Sequence, residues 1–267
     1  MIIKVNHKTS YKYSTEVPKL IQCVKLYPTQ CENQKIMEWE INCNSGKIVE
    51  SHIDGLGHKI LNIYNKNFSG ELEITSKGIV KTKDLSGIMK GLSEKVNPLC
   101  FLRNTNLTLP CKMIENLTNK IKKRNLIEFA HELNLSVSNS IKYVSGSTST
   151  STSSREAIEQ GEGVCQDYAH ILISAARLCD IPARYVNGFL YDDLNASENA
   201  THAWGELFLK EVGWVGFDPS HKKCVDDKYI RINSGFDFLD ASIIKGIKLN
   251  YNGNESLESK VFIEPCQ

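Results

Sequence analysis

The pattern that most constrains the fold is a long β-prone stretch at the start of the chain, which gives way to helix-forming sequence after residue 82. Segments such as IIKVNHKTSYKYS, MEWEINCN and ELEITSKGIVKT are rich in strand-forming residues and alternate in part between apolar and polar side chains. Turn-forming residues at 44–46 and 56–58 separate some of these segments. This spacing predicts an antiparallel sheet or sandwich over residues 1–82.

The middle of the chain, residues 83–145, is predicted to be a helical linking region. Apolar residues of MIENLTNKIKKRNLIEFAHEL recur at helix-like intervals, and residues 84–95 are also rich in helix formers. A low-complexity Ser/Thr run at 147–154 follows and predicts a loop. Ser153 or Ser154 is then expected to cap a short helix over residues 155–160.

Residues 161–220 show the clearest order of elements. Gly161 and Gly163 precede CQDYAHILISAARLCD, whose apolar residues favour one helix face. The sequence DIP at 180–182 ends this predicted helix. Three strands follow, ARYVNGFLY, THAWGELFL and GWVGFD, and only residues 210–212 separate the last two, which predicts a hairpin. The tail holds further strand-like pieces, which we expect to pair with the N-terminal sheet.

The composition argues against several classes of protein. The 267 residues include 32 Lys+Arg and 31 Asp+Glu, so a net charge of +1 gives no general electrostatic reason to bind nucleic acid or an anionic membrane. No apolar run reaches the roughly 18 residues of a transmembrane helix. The first residues alternate and lack the apolar core of a signal peptide. We therefore expect a cytoplasmic protein with neither a nucleic-acid nor a membrane partner.

The nine cysteines predict neither a disulfide framework nor a metal ribbon. Their number is odd and their spacing includes no C-x-x-C, so we expect reduced thiols that mostly act as small buried hydrophobes. His221 and Cys224 could offer two zinc ligands, but nothing nearby in the sequence completes a set of four. No phosphate-binding, dinucleotide-binding or calcium-loop motif occurs. The sequence therefore predicts no metal and no cofactor.

Cys165 has the sequence surroundings of a reactive thiol. It follows a glycine-rich turn and opens the predicted helix, where free backbone N–H groups and the helix dipole favour an anion. A thiol in such a place shifts towards the thiolate, which is its nucleophilic form. The same N–H groups can stabilise the oxyanion that forms when a thiolate attacks a carbonyl.

His202 and Asp218 supply the other two parts of a candidate catalytic set. An imidazole can take the thiol proton and later give it to a leaving amine. A carboxylate at the end of the next strand can hold the second imidazole nitrogen and fix its tautomer. In a hairpin that turns near Lys210, the two residues come into the same neighbourhood.

Each of these residues also has an ordinary explanation when it is taken alone. Most cysteines are buried packing residues, a single histidine is usually a surface group or a satisfied polar partner, and Asp before Pro219 favours a turn. Only the three together indicate a thiol enzyme. Two neighbours are candidates for the oxyanion or substrate site: Gln166, which could instead cap the helix start with Asp167, and Trp204, which could instead simply pack.

Several motifs in this order resemble one known family. They are GVCQDYAH at 163–170, IPARYVNG at 181–188, THAW at 201–204 and GWVGFDP at 213–219. This run resembles the transglutaminase-like superfamily of cysteine proteases and acyltransferases, and most closely its bacterial branch with a β-rich N-terminal region. HKTSYKY at 7–13, LYP at 26–28 and the tail from residue 230 to residue 237 also resemble that branch. The resemblance covers nearly the whole chain.

The resemblance implies roles for the three residues and a fold for the chain. Cys165 would be the nucleophile, His202 the base and acid, and Asp218 the group that orients the imidazole. The implied fold is α+β, with a papain-like transglutaminase core in which the Cys-bearing helix packs on an antiparallel sheet. A β-rich, sandwich-like N-terminal domain precedes that core. The chain departs from the family at Tyr229, where a His is usual, and at Phe236, where an Arg is usual.

Four regions are predicted from these patterns together. They are a β-rich N-terminal domain (1–82), a helical linking region (83–145), a transglutaminase-like catalytic core (146–225) and C-terminal β strands (226–267) that pair with the N-terminal domain.

The predicted reaction begins with attack of Cys165 on an amide carbonyl of a peptide or protein substrate. The resulting thioester then passes to water or to an amine. We favour water, because excluding it needs a closed apolar acceptor tunnel of which the sequence gives no sign. The chain is thus predicted to be a thiol-dependent hydrolase, either a cysteine protease or an amidase. The alternatives are a protein-glutamine transglutaminase or deamidase with the same triad, and a non-enzymatic binding scaffold.

Overall fold

Two very long strands organise the N-terminal half. The structure, a computed structural model, describes residues 1–122, 125–192 and 201–266. Strand β1 (Ile2–Val24) pairs antiparallel with β4 (Lys59–Thr82) along nearly its whole length, with one register shift between Tyr13 and Val17. Strands β2 (Gln34–Cys43) and β3 (Lys47–Ile53) pair with different halves of β4.

The tail of the chain completes this first sheet. Strands β12 (Ile244–Leu249) and β13 (Glu255–Pro265) pair with the two halves of β1, which makes a six-stranded sheet. Side chains from both halves of the two long strands, among them Tyr11, Leu20, Ile63 and Leu72, pack in one buried cluster. The sandwich-like shape therefore comes from one hydrogen-bonded sheet that folds back on itself at the irregular step in β1.

The linking region differs in part from the prediction. Residues 83–97, a segment described throughout, contain no helix although residues 84–95 are rich in helix formers. Ser86, Gly87 and Gly91 adopt positive φ angles, which interrupt any helix. The segment runs instead along the second sheet, where Ile88 forms an isolated bridge with Val215. Two short 3-10 helices follow, at Pro98–Leu102 and Asn106–Thr108, and then come the helices α1 (Lys112–Asn119) and α2 (Leu126–Ser138).

Helix α4 (Cys165–Leu178) is the centre of the second half, and its bounds confirm the helix predicted there. It is preceded by β5 (Lys142–Tyr143), α3 (Ser154–Gln160) and β6 (Glu162–Gly163). Ser153 caps α3 in a capping box with Glu156, as the sequence predicted.

A five-stranded antiparallel sheet carries this helix. Its order is β10 (Lys223–Cys224), β9 (Gly213–Asp218), β8 (Thr201–Leu209), β7 (Ala183–Leu190) and β11 (Tyr229–Gly235). Strands β8 and β9 form the predicted hairpin. Because β11 joins this sheet, the core extends past residue 225, where the sequence placed its end. This arrangement confirms the α+β class and the helix-on-sheet core. None of the helices in the described ranges has the length and apolar character that a bilayer crossing needs.

Buried charges join the two halves. Arg231 on β11 donates from Nε to Glu206 Oε1 (2.8 Å) and from Nη1 to the hydroxyl of Thr29 (2.7 Å) in the N-terminal half. Arg184 on β7 donates to the other oxygen of Glu206 (2.7 Å) and also pairs with Glu94 of the linking region. These contacts fix the second sheet against the first.

Candidate active site

Cys165 is the first residue of α4, and local chemistry defines this helix start. The carboxylate of Asp167 accepts from the backbone N–H of Val164 (2.8 Å) and from the hydroxyl of Thr148 (2.6 Å), so Asp167 caps the helix as expected. A side chain at Gly163 would meet the Cβ of Asp167 at 2.7 Å. Gly163, two residues before the cysteine, therefore allows the cap to close over the turn.

The first backbone N–H groups of α4 differ in their hydrogen-bond partners. Those of Asp167 and Tyr168 donate to the carbonyl of Val164, at 2.9 and 3.2 Å. Those of Cys165 and Gln166 belong to the first turn, where a helix offers no internal acceptor. They remain the backbone donors suited to an oxyanion beside the thiol.

His202 lies beside the thiol and is held from its far side. Its Nε2 bonds to Asp218 Oδ2 at 2.7 Å, and the ring also hydrogen-bonds with the Cys165 side chain. Because Nε2 is hydrogen-bonded to Asp218, Nδ1 is the ring nitrogen that faces the sulfur. The structure thus brings Cys165, His202 and Asp218 into one chain of hydrogen bonds.

The hairpin register shows how Asp218 reaches the imidazole. Gly205 pairs with Phe217, so Asp218 lies one step further on, level with Trp204 rather than with His202. Residues 202, 204 and 218 share one face of the sheet, because side chains alternate along each strand. The carboxylate therefore reaches the ring obliquely past Trp204, which agrees with the neighbourhood that the sequence predicted.

Electrostatics favour a charged imidazole. Burial by itself lowers the pKa of His202, but the negative charges of Asp218 and Cys165 and the hydrogen bonds to both outweigh burial and raise the pKa to about 10. Burial likewise opposes ionisation of Asp218, yet His202 and His221 hold the pKa of that carboxyl well below its usual range. The pair is therefore arranged to carry a positive ring next to the thiol.

Asp218 has more partners than the sequence indicated. Oδ2 also accepts from Tyr229 Oη (2.8 Å) and lies 2.9 Å from Nδ1 of His221. Oδ1 accepts from the backbone N–H (2.9 Å) and the hydroxyl (2.6 Å) of Ser220. Sequence reasoning placed Tyr229 outside the triad and considered His221 only with Cys224. The one available signal was Tyr229 itself, a departure from the family pattern.

The two further candidates have defined surroundings. Gln166 is largely buried, and its side-chain amide donates to the carbonyl of Ser149 (3.4 Å), so it ties the Ser/Thr loop to the helix start. Trp204 stacks beside His202, with ring centroids 6.3 Å apart, and meets Tyr229 edge-on. Its Nε1 is buried without a hydrogen-bond partner in the described part of the chain. Trp204 therefore packs behind the imidazole.

One set of metal-type ligands occurs among the described residues. The ligand atoms of His202, Asp218 and His221 lie within 4.8 Å of one another. Cys224, the second zinc ligand that the sequence suggested, does not belong to this set.

Comparisons with known proteins match both halves of the chain to family models. Residues 114–219 match the family model of the transglutaminase-like superfamily, and residues 3–81 match that of the bacterial transglutaminase-like N-terminal region. A solved structure from Cytophaga hutchinsonii, described as a candidate cysteine protease, superposes with a TM-score of 0.79 at 20% identity and covers 99% of this chain and 90% of that one. At this identity the likeness shows the fold.

Two curated relatives match over shorter segments. An uncharacterized protein of Mycobacterium bovis is 32% identical over 157 residues, which cover 55% of this chain and 50% of that protein, so the match spans about half of the relative's length. A protein-glutamine gamma-glutamyltransferase of Pseudomonas aeruginosa is 34% identical over 67 residues, which cover 22% of this chain and 10% of that enzyme.

Proposed function

The chain belongs to the transglutaminase-like superfamily, and from that premise we propose that it is a thiol-dependent amide hydrolase acting on peptide or protein substrates. The observation that carries this proposal is the hydrogen-bonded chain from Cys165 through His202 to the buried Asp218. A thiol, a basic ring and an orienting carboxylate in this order are what nucleophilic attack on an amide requires.

The proposed reaction has two halves. The Cys165 sulfur attacks the amide carbonyl, the carbon–nitrogen bond breaks, and His202 gives its proton to the departing amine. Water then attacks the thioester, His202 takes the proton of that water, and the acid product leaves with the thiol restored. Asp218 holds the ring in place and stabilises its positive charge throughout.

Transfer to an amine is the second candidate, and the match to the Pseudomonas aeruginosa gamma-glutamyltransferase favours it. The first half-reaction is the same, and an amine replaces water in the second. A Gln side chain would then be the acyl donor, and the product would be a substituted amide.

One experiment separates these outcomes. Gln-containing peptides are incubated with the protein and a labelled primary amine, and products are identified by mass spectrometry. Backbone cleavage or plain deamidation supports the hydrolase, and incorporation of the amine supports the transferase. Cys165→Ala should abolish either product, whereas Cys100→Ala, at an exposed thiol, should change nothing. Full turnover by Cys165→Ala would remove the proposal.

A further inference from the structure

Two histidines, not one, converge on the carboxylate of Asp218. Oδ2 lies 2.7 Å from Nε2 of His202 and 2.9 Å from Nδ1 of His221, and the two rings meet edge-on with centroids 5.1 Å apart. Two imidazole nitrogens and one carboxylate oxygen form a donor set that suits zinc and related divalent transition metals. We propose that His202, Asp218 and His221 bind such a divalent cation, and that the ion switches off the thiol chemistry.

The carboxylate is already held as a metal ligand would need to be. Ser220 binds Oδ1 through both its backbone N–H and its hydroxyl, and Tyr229 donates to Oδ2. Hydrogen bonds of this kind orient ligating carboxylates in metal sites. The outer partners of the proposed site are therefore in place before an ion arrives.

His221 provides the route by which an ion reaches the site and the movement that makes space for it. Its side chain is 36% exposed, against 10% for His202 and 0% for Asp218, so an ion reaches the site from the His221 side. Tetrahedral zinc with ligands at about 2.0–2.2 Å sets its donor atoms roughly 3.3 Å apart. The two nitrogen–oxygen contacts must therefore open by about 0.5 Å. His221 lies on the turn between β9 and β10 and can make that movement.

Proton accounting predicts the effect on chemistry. At His202 the ion binds the nitrogen that now donates its N–H to Asp218, so the proton of that N–H must leave to solvent. For His202 the remaining proton then sits on Nδ1, which faces Cys165. A metal-bound ring would become an imidazolate if it gave up this proton, so it cannot protonate the departing amine. This regulatory half rests on the proposed function, whereas the binding half does not.

Binding is tested by titrating the full chain with zinc chloride in a calorimeter. His221→Asn should weaken zinc binding by more than the ~10- to 100-fold that loss of an outer-shell partner costs. His52→Asn, at an exposed histidine far along the chain in β3, should leave it unchanged. Equal zinc affinity in His221→Asn and in the wild type would overturn the proposal.

Cobalt(II) provides a second readout, because nine free thiols offer competing sites. A nitrogen–oxygen site gives visible absorption without the thiolate-to-cobalt charge-transfer band, and His221→Asn should lose that absorption. A spectrum dominated by the thiolate band in both proteins would overturn the site. Neither readout needs a substrate. If the protein binds zinc through His221 but turns over no amide, the proposed function is wrong and the metal site stands. If it turns over amides but does not bind zinc through His221, the metal site is wrong and the proposed function stands.

Discussion

At the scale of the residue, the charge on His202 controls how Cys165 reacts. The raised pKa of His202, about 10, keeps the ring positive at acidic and neutral pH, so the sulfur of Cys165 lies beside a positive charge. We predict that limiting iodoacetamide at about pH 5.5, well below the ordinary thiol pKa near 8.5, labels Cys165 ahead of the other cysteines. Peptide mapping by mass spectrometry measures this order.

The matched control is the exposed thiol of Cys100. His202→Ala should remove the advantage of Cys165 and leave the labelling of Cys100 as it was. If Cys165 in the wild type reacts no faster than Cys100 at this pH, the thiol is not activated by the imidazole.

The sequence predicted the three residues of the triad but not Tyr229 and His221, which also contact Asp218. The hairpin predicted that His202 and Asp218 lie in one neighbourhood, and the family resemblance implied that Cys165 joins them. Tyr229 lies on β11, which pairs with β7. Strands β8 and β7 both lie between β11 and β9, the strand that carries Asp218. No local period indicates which strand becomes the neighbour of β7. The order of strands in the sheet, and not the pattern along the chain, brings the phenol to the carboxylate.

At the scale of the element, the start of α4 depends on the absence of a side chain at residue 163. A Cβ at Gly163 would lie 2.7 Å from the Cβ of Asp167 and 2.8 Å from its Oδ2, the oxygen that caps the helix. We predict that Gly163→Ala displaces this cap and lowers the free energy of unfolding by about 1–3 kcal/mol. It should also slow alkylation of Cys165. Urea unfolding and the labelling rate measure the two effects.

A second glycine offers the matched control. At Gly55 an added Cβ would have its nearest neighbour at 3.4 Å, and the backbone there is not in the left-handed region. Gly55→Ala should leave both the unfolding midpoint and the labelling rate near the wild-type values. A Gly163→Ala protein that matches Gly55→Ala in both would show that the cap tolerates a methyl group.

Element bounds were predictable where one residue type decides them. Ser153, one of the two serines predicted to cap a helix, caps α3, and α4 ends at Leu178, just before the predicted breaker at residues 180–182. The helix content predicted for residues 84–95 was wrong. No capping residue marks a helix start there, and the glycines of this segment turn the chain. Hydrogen bonds such as Met89 N–H to the carbonyl of Trp214 (2.8 Å) bind it to the second sheet instead. Tertiary pairing outweighs weak helix propensity there.

At the scale of the whole molecule, two buried histidines link stability to pH. Burial lowers the pKa of both His7 and His170 to about 4. His7 lies at the junction of the two halves against Phe189, and His170 Nε2 accepts from the backbone N–H of Phe238 (3.1 Å). The unfolded chain takes up these protons near pH 6.5, but the folded chain does so only near pH 4. The stability that His7 and His170 contribute is therefore complete above about pH 6.5 and falls as the pH drops towards 4.

By pH 4 each histidine contributes roughly 3 kcal/mol to this loss, at about 1.4 kcal/mol per unit of pKa. We predict that the free energy of unfolding, measured in urea between pH 7 and pH 4, depends less on pH in His7→Gln and in His170→Gln. His52→Gln, at an exposed histidine, should keep the wild-type slope. A wild-type stability that stays flat across this range would contradict the assignment.

The buried charges at the junction decide whether the two halves unfold together. Burial alone would raise the pKa of Glu206, yet the charges of Arg231 and Arg184 outweigh it and lower the pKa to about 2. Glu206→Gln would leave two buried arginines without their shared partner, and breaking a buried pair in this way costs about 3–5 kcal/mol. We predict a loss of that size in urea unfolding at pH 7.

The exposed pair of Lys4 and Glu264 is the matched control, since both side chains are more than half exposed. Glu264→Gln should change stability by less than about 1 kcal/mol. The Arg231 side chain also donates to the hydroxyl of Thr29, and its backbone carbonyl accepts from the side-chain amide of Gln34, both in the N-terminal half. The loss in Glu206→Gln should therefore reach both halves. Tryptophan fluorescence and circular dichroism should then give one shared transition at a lower urea concentration. A core that melts early while the N-terminal sheet keeps its wild-type midpoint would show that the charge network stabilises the core alone.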